Sequence, residues 1–474
     1  MSNSAPRLPA WPAGWAAAAC VAVVLLVTAD RYGLHGDELY FRMLPLDWWY
    51  EDQPPLTVWL SRLARAVSGE AWVQRLPAVV AAAAGALVAA RFPRLLGYGR
   101  RVQNVAAWAH ATTVYPLIVG HVFLTSSLDL LAWQLVVLLV VAATLGRRNA
   151  LVWAGVVAGL ACWNKLLVLP LVGALAVSLL LVRRDLVLSR QAAGGVAALA
   201  VIGGPQVLAQ AWHGWPMSQV SGDLIAVNGD VNRVLVLPLL VAFVGPPLFG
   251  VCVRGLRWRP GGEARVGLLM PAAVVLVVWN LVAPAQPYYA IGLFLCALGL
   301  GWGPAADLAG RGWRQAPAVI AANAAVACVL ALPLLPVPSR AFDVAATINP
   351  VARDQVGWPG YVRQVDEARG GPRVAVVTDA YALAGAVDHY GGGIPVASGH
   401  NALWRLGPPT TDDVLLVGQR AVALTGRFAN CRDAGRLTQT ESDPFGVAGS
   451  PMARCRGPIG GWTAVWPAFR HLGA

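Results

Sequence analysis

Residues 30–67 read DRYGLHGDELYFRMLPLDWWYEDQPPLTVWLSRLARAV, a charged and aromatic stretch between two strongly apolar runs, Trp15–Thr28 and Leu76–Ala90. A helix needs about 20 consecutive apolar residues to cross the hydrocarbon core of a bilayer. Each of the two runs, with its flanking residues, approaches that length, whereas the stretch between them is too polar to enter hydrocarbon. The sequence therefore predicts a loop at a membrane surface over residues 30–75, with one transmembrane helix on each side.

Apolar runs of the same kind recur over the first two thirds of the chain. The nine further runs are Val102–Val119, Leu128–Leu145, Leu151–Trp163, Leu166–Val182, Ala192–Ala211, Val234–Val253, Val266–Val282, Tyr288–Gly303 and Ala316–Leu335. The composition agrees, since 57% of the 474 residues are hydrophobic and 13% are charged, against about 45–50% and about 25% in soluble domains. A soluble globular protein and a disordered chain are both excluded. Residues 1–340 are predicted to form about eleven transmembrane helices.

The positive charge is distributed as in membrane proteins. The net charge of +12 comes almost wholly from arginine, with Lys165 as the only lysine. Most of the arginines lie in alternate connections between the apolar runs, and such connections face the cytoplasm by the positive-inside rule. We therefore expect a multi-pass plasma membrane protein with a cytoplasmic N-terminus, an extracytoplasmic C-terminal region and no nucleic-acid partner.

Residues 341–474 have a different pattern, in which short apolar strand signals alternate with helical ones. The predicted strands are Arg373–Thr378, Ile394–Ser398 and Asp413–Val417, and the predicted helices are Gly360–Arg369 and Ala380–Tyr390. This alternation is typical of an α/β layer domain. The only two cysteines of this region are Cys431 and Cys455, and a disulfide between them is the simplest hypothesis in an oxidising outer compartment. The predicted fold is a polytopic α-helical membrane domain followed by an extracytoplasmic α/β domain.

The predicted loop concentrates acidic side chains at the membrane surface. Asp37 and Glu38 follow the first span, and Asp52 lies directly before Pro54-Pro55. Proline favours the first turn of a helix, so Asp52 is expected near the positive end of a helix that starts there. A carboxylate at the headgroup level can take a proton from a hydroxyl nucleophile. The alternative is that these residues are ordinary loop charges.

The helix predicted after the two prolines is amphipathic. Its apolar stripe consists of Leu56, Trp59, Leu60, Leu63 and Val67, and the opposite face carries Ser61, Arg62 and Arg65. This pattern predicts a helix that lies in the plane of the interface, and its arginines could hold a lipid phosphate through paired N–H donors. In the alternative interpretation, Trp48, Trp49 and Tyr50 of this loop act only as interface anchors.

Polar residues at the ends of later spans are further candidates. Lys165, in CWNKLLVLP, is an ionisable residue between two apolar runs and is by default a functional candidate, although its side chain could instead extend to the headgroups. Asp129, in TSSLDLLAW, either carries charge to a site or caps its helix. Tyr288 and Tyr289, in a predicted turn, are donor contacts or interface anchors. No phosphate-binding glycine loop, HExxH motif or zinc-spaced His/Cys cluster occurs, so nucleotide hydrolysis and metalloprotease chemistry have no support.

Several of these motifs, in this order, resemble one family. GDELYF, DQPPLTVWLSRL and QRLPAVV resemble the first extracytoplasmic loop of the dolichyl-phosphate-mannose protein mannosyltransferase-like superfamily, the GT-C membrane glycosyltransferases that include the protein O-mannosyltransferases and the aminoarabinose transferases. SSLDLLAW, GLACWNKLLVLP and QPYYAIGLF resemble three later segments of that family, with Leu128 in place of a proline and Gln286 in place of a common lysine. HYGGGIPVASGHNALWRLGPP, FANCRDAG and CRGPIGGWTAVWPAFRH resemble the C-terminal domain of a bacterial branch.

The resemblance implies a membrane glycosyltransferase whose donor is a polyprenyl-phosphate-linked sugar in the membrane lipid. The acceptor is a hydroxyl group of an unspecified glycan, lipid or protein, and transfer is an inverting single displacement. Asp37 is implied as the base, with Glu38 supporting it or helping to set a cation. The implied donor- and acceptor-binding residues are Asp52, Gln53, Arg75, Asp129, Lys165, Tyr288 and Tyr289, of which Lys165 and Arg75 counter the donor phosphate.

Two other classes of function stay open from the sequence. A secondary transporter or flippase of a lipid-linked or small polar substrate would also place charged residues among membrane helices, although repeated halves with broken helices are typical of transporters and are not evident here. A membrane scaffold with an outer binding domain is the third class. The sequence implies no certain cofactor and leaves a divalent metal open. Glu51-Asp52-Gln53 stands where relatives carry a Glu-Lys pair, and this departure weakens the assignment of a metal.

Overall fold

The computed structural model describes residues 12–261, 264–284 and 286–473. Up to residue 331 the regular secondary structure of the described chain is helical. The helices are Trp15–Thr28, Gly36–Met43, Leu56–Val67, Ala71–Leu95, Arg100–Ala111, Val114–His121, Thr125–Thr144, Ala150–Ala161, Val168–Val182, Arg184–Val187, Arg190–Trp212, Pro216–Val244, Pro246–Leu256, Met270–Val282, Ile291–Ala309 and Ala316–Ala331, with a 3₁₀ turn at Gly310–Gln315.

Six helical segments of the described chain are long and apolar enough to cross a membrane. They are Ala71–Leu95, Thr125–Thr144, Arg190–Trp212, Pro216–Val244, Ile291–Ala309 and Trp313–Ala331, and four shorter apolar helices accompany them. The segments Arg190–Trp212 and Pro216–Val244 are mostly uncovered by the rest of the protein, as expected of apolar helices that face lipid. The chain is thus a multi-pass membrane protein, and the number eleven stays a prediction.

Two of the predicted spans are broken in the structure. The run Val102–Val119 is divided at Thr112–Thr113, and Pro116 follows in the first turn of the second helix, where its missing N–H is tolerated. The run Val234–Val253 is divided at Gly245, which has φ +96° and lies against Asn323, so that a Cβ atom there would clash. Hydropathy alone detects neither break, because both occur inside apolar sequence.

Small residues allow the membrane helices to pack closely. The helices Ala150–Ala161 and Arg190–Trp212 approach so closely that a Cβ on Gly155 would lie 1.9 Å from the carbonyl oxygen of Gly195. Close backbone approach at glycine is a common way for helices to associate in lipid. This packing fixes the position of the connection that follows Ala161, which carries Lys165.

The region after residue 340 contains one mixed five-stranded sheet. Its strands are β1 (Ala375–Thr378), β2 (Val396–Ser398), β3 (Asp413–Val417), β4 (Phe428–Arg436) and β5 (Pro451–Pro458). The spatial order is β2-β1-β3-β5-β4, with β1 parallel to β2 and β3, and β5 antiparallel to β3 and β4. The helices of this region are Arg340–Ile348, Pro350–Arg353, Trp358–Arg369, Tyr381–Tyr390, Gln419–Val422 and Gly461–Val465.

The first three strands lie where the sequence predicts them, and the last two were not predicted. β4 alternates little and is mostly exposed, so it lacks the apolar signal of a buried strand. Cys431 and Cys455 face each other in the register of β4 and β5 and form a disulfide, with Cα atoms 4.1 Å apart. The bridge therefore joins the two strands that complete the sheet.

The loop after the first helix is packed against the C-terminal region. Leu39, in the helix Gly36–Met43, belongs to the same buried cluster as Trp358, Val376 and Leu383. A Cβ on Gly385 would lie only 2.6 Å from the carbonyl carbon of Leu39. This contact places the acidic residues of the loop between the membrane helices and the helix Tyr381–Tyr390.

Candidate functional site

Asp37 lies in the first turn of the helix Gly36–Met43, which begins with a capping box. The backbone N–H of His35 donates to Oε2 of Glu38 at 2.9 Å, and the N–H of Asp37 donates to Nδ1 of His35 at 3.1 Å. With this turn fixed, the carboxylate of Asp37 accepts a hydrogen bond from the hydroxyl of Tyr381 at 2.9 Å. Burial and the Asp37 carboxylate raise the pKa of Tyr381 well above its usual value, so the phenol keeps the proton that it donates.

Glu38 and Arg75 form a buried ion pair. Both side chains are 0% exposed, with Nη2 of Arg75 2.8 Å from Oε2 of Glu38 and Nε 3.0 Å from Oε1. Arg75 also donates to the carbonyls of Ala29 and Gly33, and the N–H of Phe123 donates to Oε1 of Glu38. Every hydrogen-bonding direction of the pair is used by the protein itself.

This pairing corrects two sequence expectations. Arg75 lies in the second turn of the helix Ala71–Leu95, not in the loop predicted over residues 30–75, and its guanidinium is fully engaged within the protein. Glu38 likewise has no free oxygen to offer a cation or a substrate. Breaking a buried ion pair is strongly destabilising, so in this structure Arg75 is not free to counter a phosphate and Glu38 is not free to bind a cation.

Asp52 is held beside Tyr40 below the start of the helix Leu56–Val67. The hydroxyl of Tyr40 interacts with the Asp52 carboxyl and accepts from the N–H of Ala402 at 3.4 Å. Burial, which outweighs the Tyr40 hydroxyl, raises the pKa of Asp52 to about 7. Charge repulsion from Glu51 and Asp37 is a smaller part of the same rise in the pKa of Asp52. Asp52 therefore exchanges a proton near neutral pH, unlike an ordinary surface carboxylate.

The start of this helix is tied to the segment that carries Lys165. The N–H of Leu56 donates to the carbonyl of Trp163 at 2.8 Å, and the hydroxyl of Thr57 donates to Oδ1 of Asn164 at 2.6 Å. The apolar stripe of the helix is in part turned away from the protein, since Leu63 and Val67 are exposed. The structure thus agrees with an amphipathic helix whose polar face packs on the protein.

Lys165 lies in a polar and aromatic surrounding at the ends of three membrane helices. Its ammonium donates to Oγ of Ser126 at 3.0 Å and lies 5.2 Å from the ring centre of Tyr289. The carboxylates of Asp129 and Asp37 are both close enough to interact with it electrostatically. Asp129 is in the second turn of its helix and does not cap it, since the first turn is closed by Ser127.

The two tyrosines of the predicted turn belong to the same group. The ring of Tyr288 packs at a tilted angle against that of Tyr115, with ring centres 5.6 Å apart, and meets Tyr289 edge to face at 5.9 Å. Tyr288 also interacts electrostatically with Asp37. Both tyrosines are half-buried and contact residues of the same group, which favours donor contacts over interface anchors.

The structure therefore brings most of the predicted residues into one group, which we call the carboxylate–lysine cluster. It consists of Asp37, Asp52, Asp129, Lys165, Tyr288 and Tyr289, with Tyr40, Ser126 and Tyr381. Gln53 lies next to Asp52 in the chain, and its buried Nε2 has no hydrogen-bond acceptor among the described residues. In the part of the chain that the structure describes, no group of three His, Cys, Asp or Glu side chains has a metal-binding arrangement.

A second polar group lies next to the cluster. Arg405 pairs with Asp47 at 3.0 Å and with Glu51 at 2.9 Å, and its guanidinium covers the ring of Trp49 at 4.6 Å. Trp49 in turn stacks on His213 with 3.8 Å between ring centres. Because Trp49 is buried, as is Tyr50, the interpretation of these two residues as interface anchors is wrong; Trp48 alone of the three is exposed.

Sequence reasoning missed the residues that the C-terminal region contributes. Tyr381 and Arg405 reach the loop across more than 340 positions, and single-sequence periodicity carries no information about such contacts. Tyr40 was visible in the motif GDELYF, where an aromatic residue three positions after an aspartate lies on the same side of a helix. That spacing was the one available signal.

Comparison with known proteins gives a family match over one part of the chain and a similar fold over nearly all of it. Residues 52–206 match the model of a family described as dolichyl-phosphate-mannose-protein mannosyltransferase. The structure is similar to that of ArnT from Cupriavidus metallidurans in the apo state, with TM-score 0.60 and 17% sequence identity over 93% of this chain and 98% of that one. It is equally similar to ArnT from the same organism bound to undecaprenyl phosphate, with TM-score 0.60 and 16% identity over 94% and 98%. None of the curated proteins matches the sequence at a significant level.

Proposed function

We propose that the chain is a GT-C membrane glycosyltransferase that transfers a sugar from a polyprenyl-phosphate-linked donor to a hydroxyl group. The family match over residues 52–206 and the fold shared with ArnT support this class of enzyme. The transfer takes place where the membrane helices end at the extracytoplasmic surface. A similar protein is known in a complex with undecaprenyl phosphate, which supports this class of donor. The observation that carries the proposal is the presence of Asp37 and Lys165 in one cluster, close enough to interact electrostatically.

The two residues have complementary tasks in glycosyl transfer. The acceptor oxygen forms a bond to the anomeric carbon while the bond from that carbon to the phosphate oxygen breaks. Asp37 takes the proton of the attacking hydroxyl, and the electron pair of the broken bond leaves with the polyprenyl phosphate. Lys165 stabilises the charge that grows on the phosphate. A single displacement of this kind inverts the anomeric centre.

The remaining residues of the cluster position these two groups. Asp129 and Ser126 hold the Lys165 ammonium, while Tyr381 orients the Asp37 carboxylate. Holding donor and acceptor in one place removes much of the entropic cost of a reaction between two molecules. Asp52 and Gln53, at the border of the cluster, are assigned to the sugar, and Tyr288 and Tyr289 to the donor head group.

The experiment is a donor-consumption assay with the purified protein in proteoliposomes. Several polyprenyl-phosphate sugars are supplied in turn, with water as the hydroxyl acceptor, and loss of donor, release of polyprenyl phosphate and the anomeric configuration of the released sugar are measured. We expect one donor to be consumed with inversion, and Asp37→Asn to lower the rate by about 10²–10⁴-fold. Glu70→Gln, which changes an exposed acid of the same loop, is the matched control and keeps the native rate.

Two results would overturn the proposal. One is native donor consumption by a correctly folded Asp37→Asn protein, which removes Asp37 from the chemistry. The other is transport of intact donor across the bilayer with no bond cleavage, which identifies a flippase. Thermal midpoints of both variants establish that the fold is unchanged.

A further inference from the structure

A cavity of about 820 Å³ lies beside the carboxylate–lysine cluster. Three parts of the chain form it: the loop residues Trp48 and Trp49, the turn after the helix Arg190–Trp212 at His213, and the C-terminal residues Trp404 and Arg405. Its volume is in the range of small-molecule sites, about 300–1,000 Å³. Neither the proposed transfer chemistry nor the donor site described above uses these residues.

The charges in the cavity compensate one another. Arg405 pairs with both Asp47 and Glu51, and Arg470 lies 3.9 Å from Glu51, so two cations face two carboxylates. A site for a phosphate or an acidic lipid head group leaves cations uncompensated. The balance here favours an uncharged polar ligand, to which the same four side chains offer charge-assisted hydrogen bonds.

The aromatic side chains provide fixed flat surfaces. The carbonyl of Trp48 accepts a hydrogen bond from Gln206 at 3.0 Å, and the indole N–H of Trp404 donates to the carbonyl of Trp466 at 3.2 Å. Trp48 is nevertheless 52% exposed. Trp49 has a buried indole N–H without an acceptor among the described residues. Indole rings combine apolar area with a donor at low entropic cost, and a sugar ring likewise has apolar C–H faces and a hydroxylated edge.

The cavity adjoins the cluster through a continuous piece of chain. Glu51 lines the cavity. The next residue, Asp52, belongs to the cluster and interacts electrostatically with both Glu51 and Asp37. Gln206 and Gln210 fasten this piece from the helix Arg190–Trp212 by bonds to the carbonyls of Trp48 and Tyr50. A ligand in the cavity is therefore held at a fixed place relative to the carboxylates.

We propose that this cavity binds the acceptor and that the acceptor is an uncharged saccharide, one of whose hydroxyls reaches Asp37. The inference rests on the proposed transferase function and adds to it the substrate class of the acceptor. The tryptophans contact the faces of the sugar rings, and Arg405, Asp47 and Glu51 bind hydroxyl groups.

The test is direct binding of saccharides to the purified full-length protein, without donor. The probes are methyl glycosides and disaccharides of neutral hexoses and pentoses, together with matched uronic acids and sugar phosphates, and binding is measured by saturation-transfer NMR and calorimetry. Trp48→Ala removes an exposed ring without opening the core, and we expect at least tenfold weaker binding of a neutral saccharide. Trp212→Ala, which removes a ring that is 89% exposed outside the cavity, is the matched control with native affinity.

Three outcomes contradict the inference. They are no binding of any neutral probe, equal weakening by Trp48→Ala and Trp212→Ala, and tighter, salt-sensitive binding of the charged probes. Trp404→Ala provides a second cavity variant. Failure of the inference is distinguishable from failure of the transferase function, because donor hydrolysis without acceptor depends on Asp37 and Lys165 and is measured separately. A transferase whose cavity does not bind saccharides still hydrolyses its donor.

Discussion

The hydroxyl of Tyr381 lies 2.9 Å from Oδ1 of Asp37 and donates a hydrogen bond to it. Tyr381 begins a helix that follows the first strand of the C-terminal sheet, whereas Asp37 belongs to the loop after the first apolar helix. The C-terminal region therefore takes part in the candidate site. It orients the proposed base.

Tyr381→Phe removes this one hydrogen bond and keeps the ring. Bonds to charged groups contribute about 1.5–3 kcal/mol, so we expect kcat to fall by roughly 10- to 100-fold while the KM for donor stays within about twofold. Steady-state kinetics with the consumed donor measure both constants. Tyr361→Phe removes a hydroxyl that bonds to Ser442 in the same region and is expected to leave kcat unchanged. An equal loss in both variants indicates a general packing effect and no positioning role.

Glu38→Gln tests whether Glu38 is structural. The change leaves Arg75 with an uncompensated charge at 0% exposure, and breaking a buried pair in this way costs about 3–5 kcal/mol. We expect a clear fall in the thermal midpoint in detergent, together with low yield. Asp388→Asn breaks the more exposed pair with Arg65 and is expected to change stability by at most about 1 kcal/mol. Loss of activity at a native midpoint would instead give Glu38 a catalytic role.

Many residues of the candidate site could be predicted from the sequence, because they stand in short local motifs. Asp37 and Asp52 stand in one loop, and Lys165 is the only lysine among many arginines. Each of the three is therefore recognisable as a candidate from its local sequence. Their meeting in one cluster follows from short connections such as the bond from Thr57 to Asn164. The resemblance of several motifs in a fixed order to one family already predicts that these segments contribute to a common site.

What the sequence could not provide depends on distant contacts. The sequence predicts Arg75 as a phosphate ligand, whereas in the structure Glu38, Ala29 and Gly33 accept hydrogen bonds from its N–H groups. The break at Gly245 lies in apolar sequence and depends on the neighbouring Asn323. The polarity of a side chain can be read from the sequence, but its hydrogen-bond partner depends on tertiary packing. Hydrophobic periodicity in a single sequence does not identify that partner.

Asp52→Asn is expected to stabilise the protein in a pH-dependent way. Burial raises the pKa of Asp52 to about 7, against about 3.9 for an unfolded chain. The folded state therefore disfavours the ionised form: the destabilisation is absent below about pH 4, grows as the pH rises to about 7, and is constant above. The variant should gain up to about 4 kcal/mol relative to the native protein at high pH.

Thermal midpoints at pH 5 and pH 8.5 measure this effect. The difference between Asp52→Asn and the native protein should be larger at pH 8.5, whereas Glu70→Gln, at an exposed position, should show the same small difference at both values. A pH-independent difference for Asp52→Asn would mean that the carboxyl is solvated in the folded protein.

Lys165→Met separates a phosphate-binding lysine from one that merely extends to the lipid headgroups. Loss of the ammonium leaves Ser126 and Asp129 in place but removes the charge opposite the leaving phosphate, and removal of one such group lowers kcat by about 10²–10³-fold in other enzymes. We expect a loss of this size in donor consumption, with partial recovery in Lys165→Arg, whose larger fork keeps the charge but not the geometry. A lysine bound only to headgroups predicts native kinetics for both variants. A doubly substituted Asp37→Asn/Lys165→Met protein should be little slower than the slower single variant, since the effects of residues that act in one step are strongly non-additive.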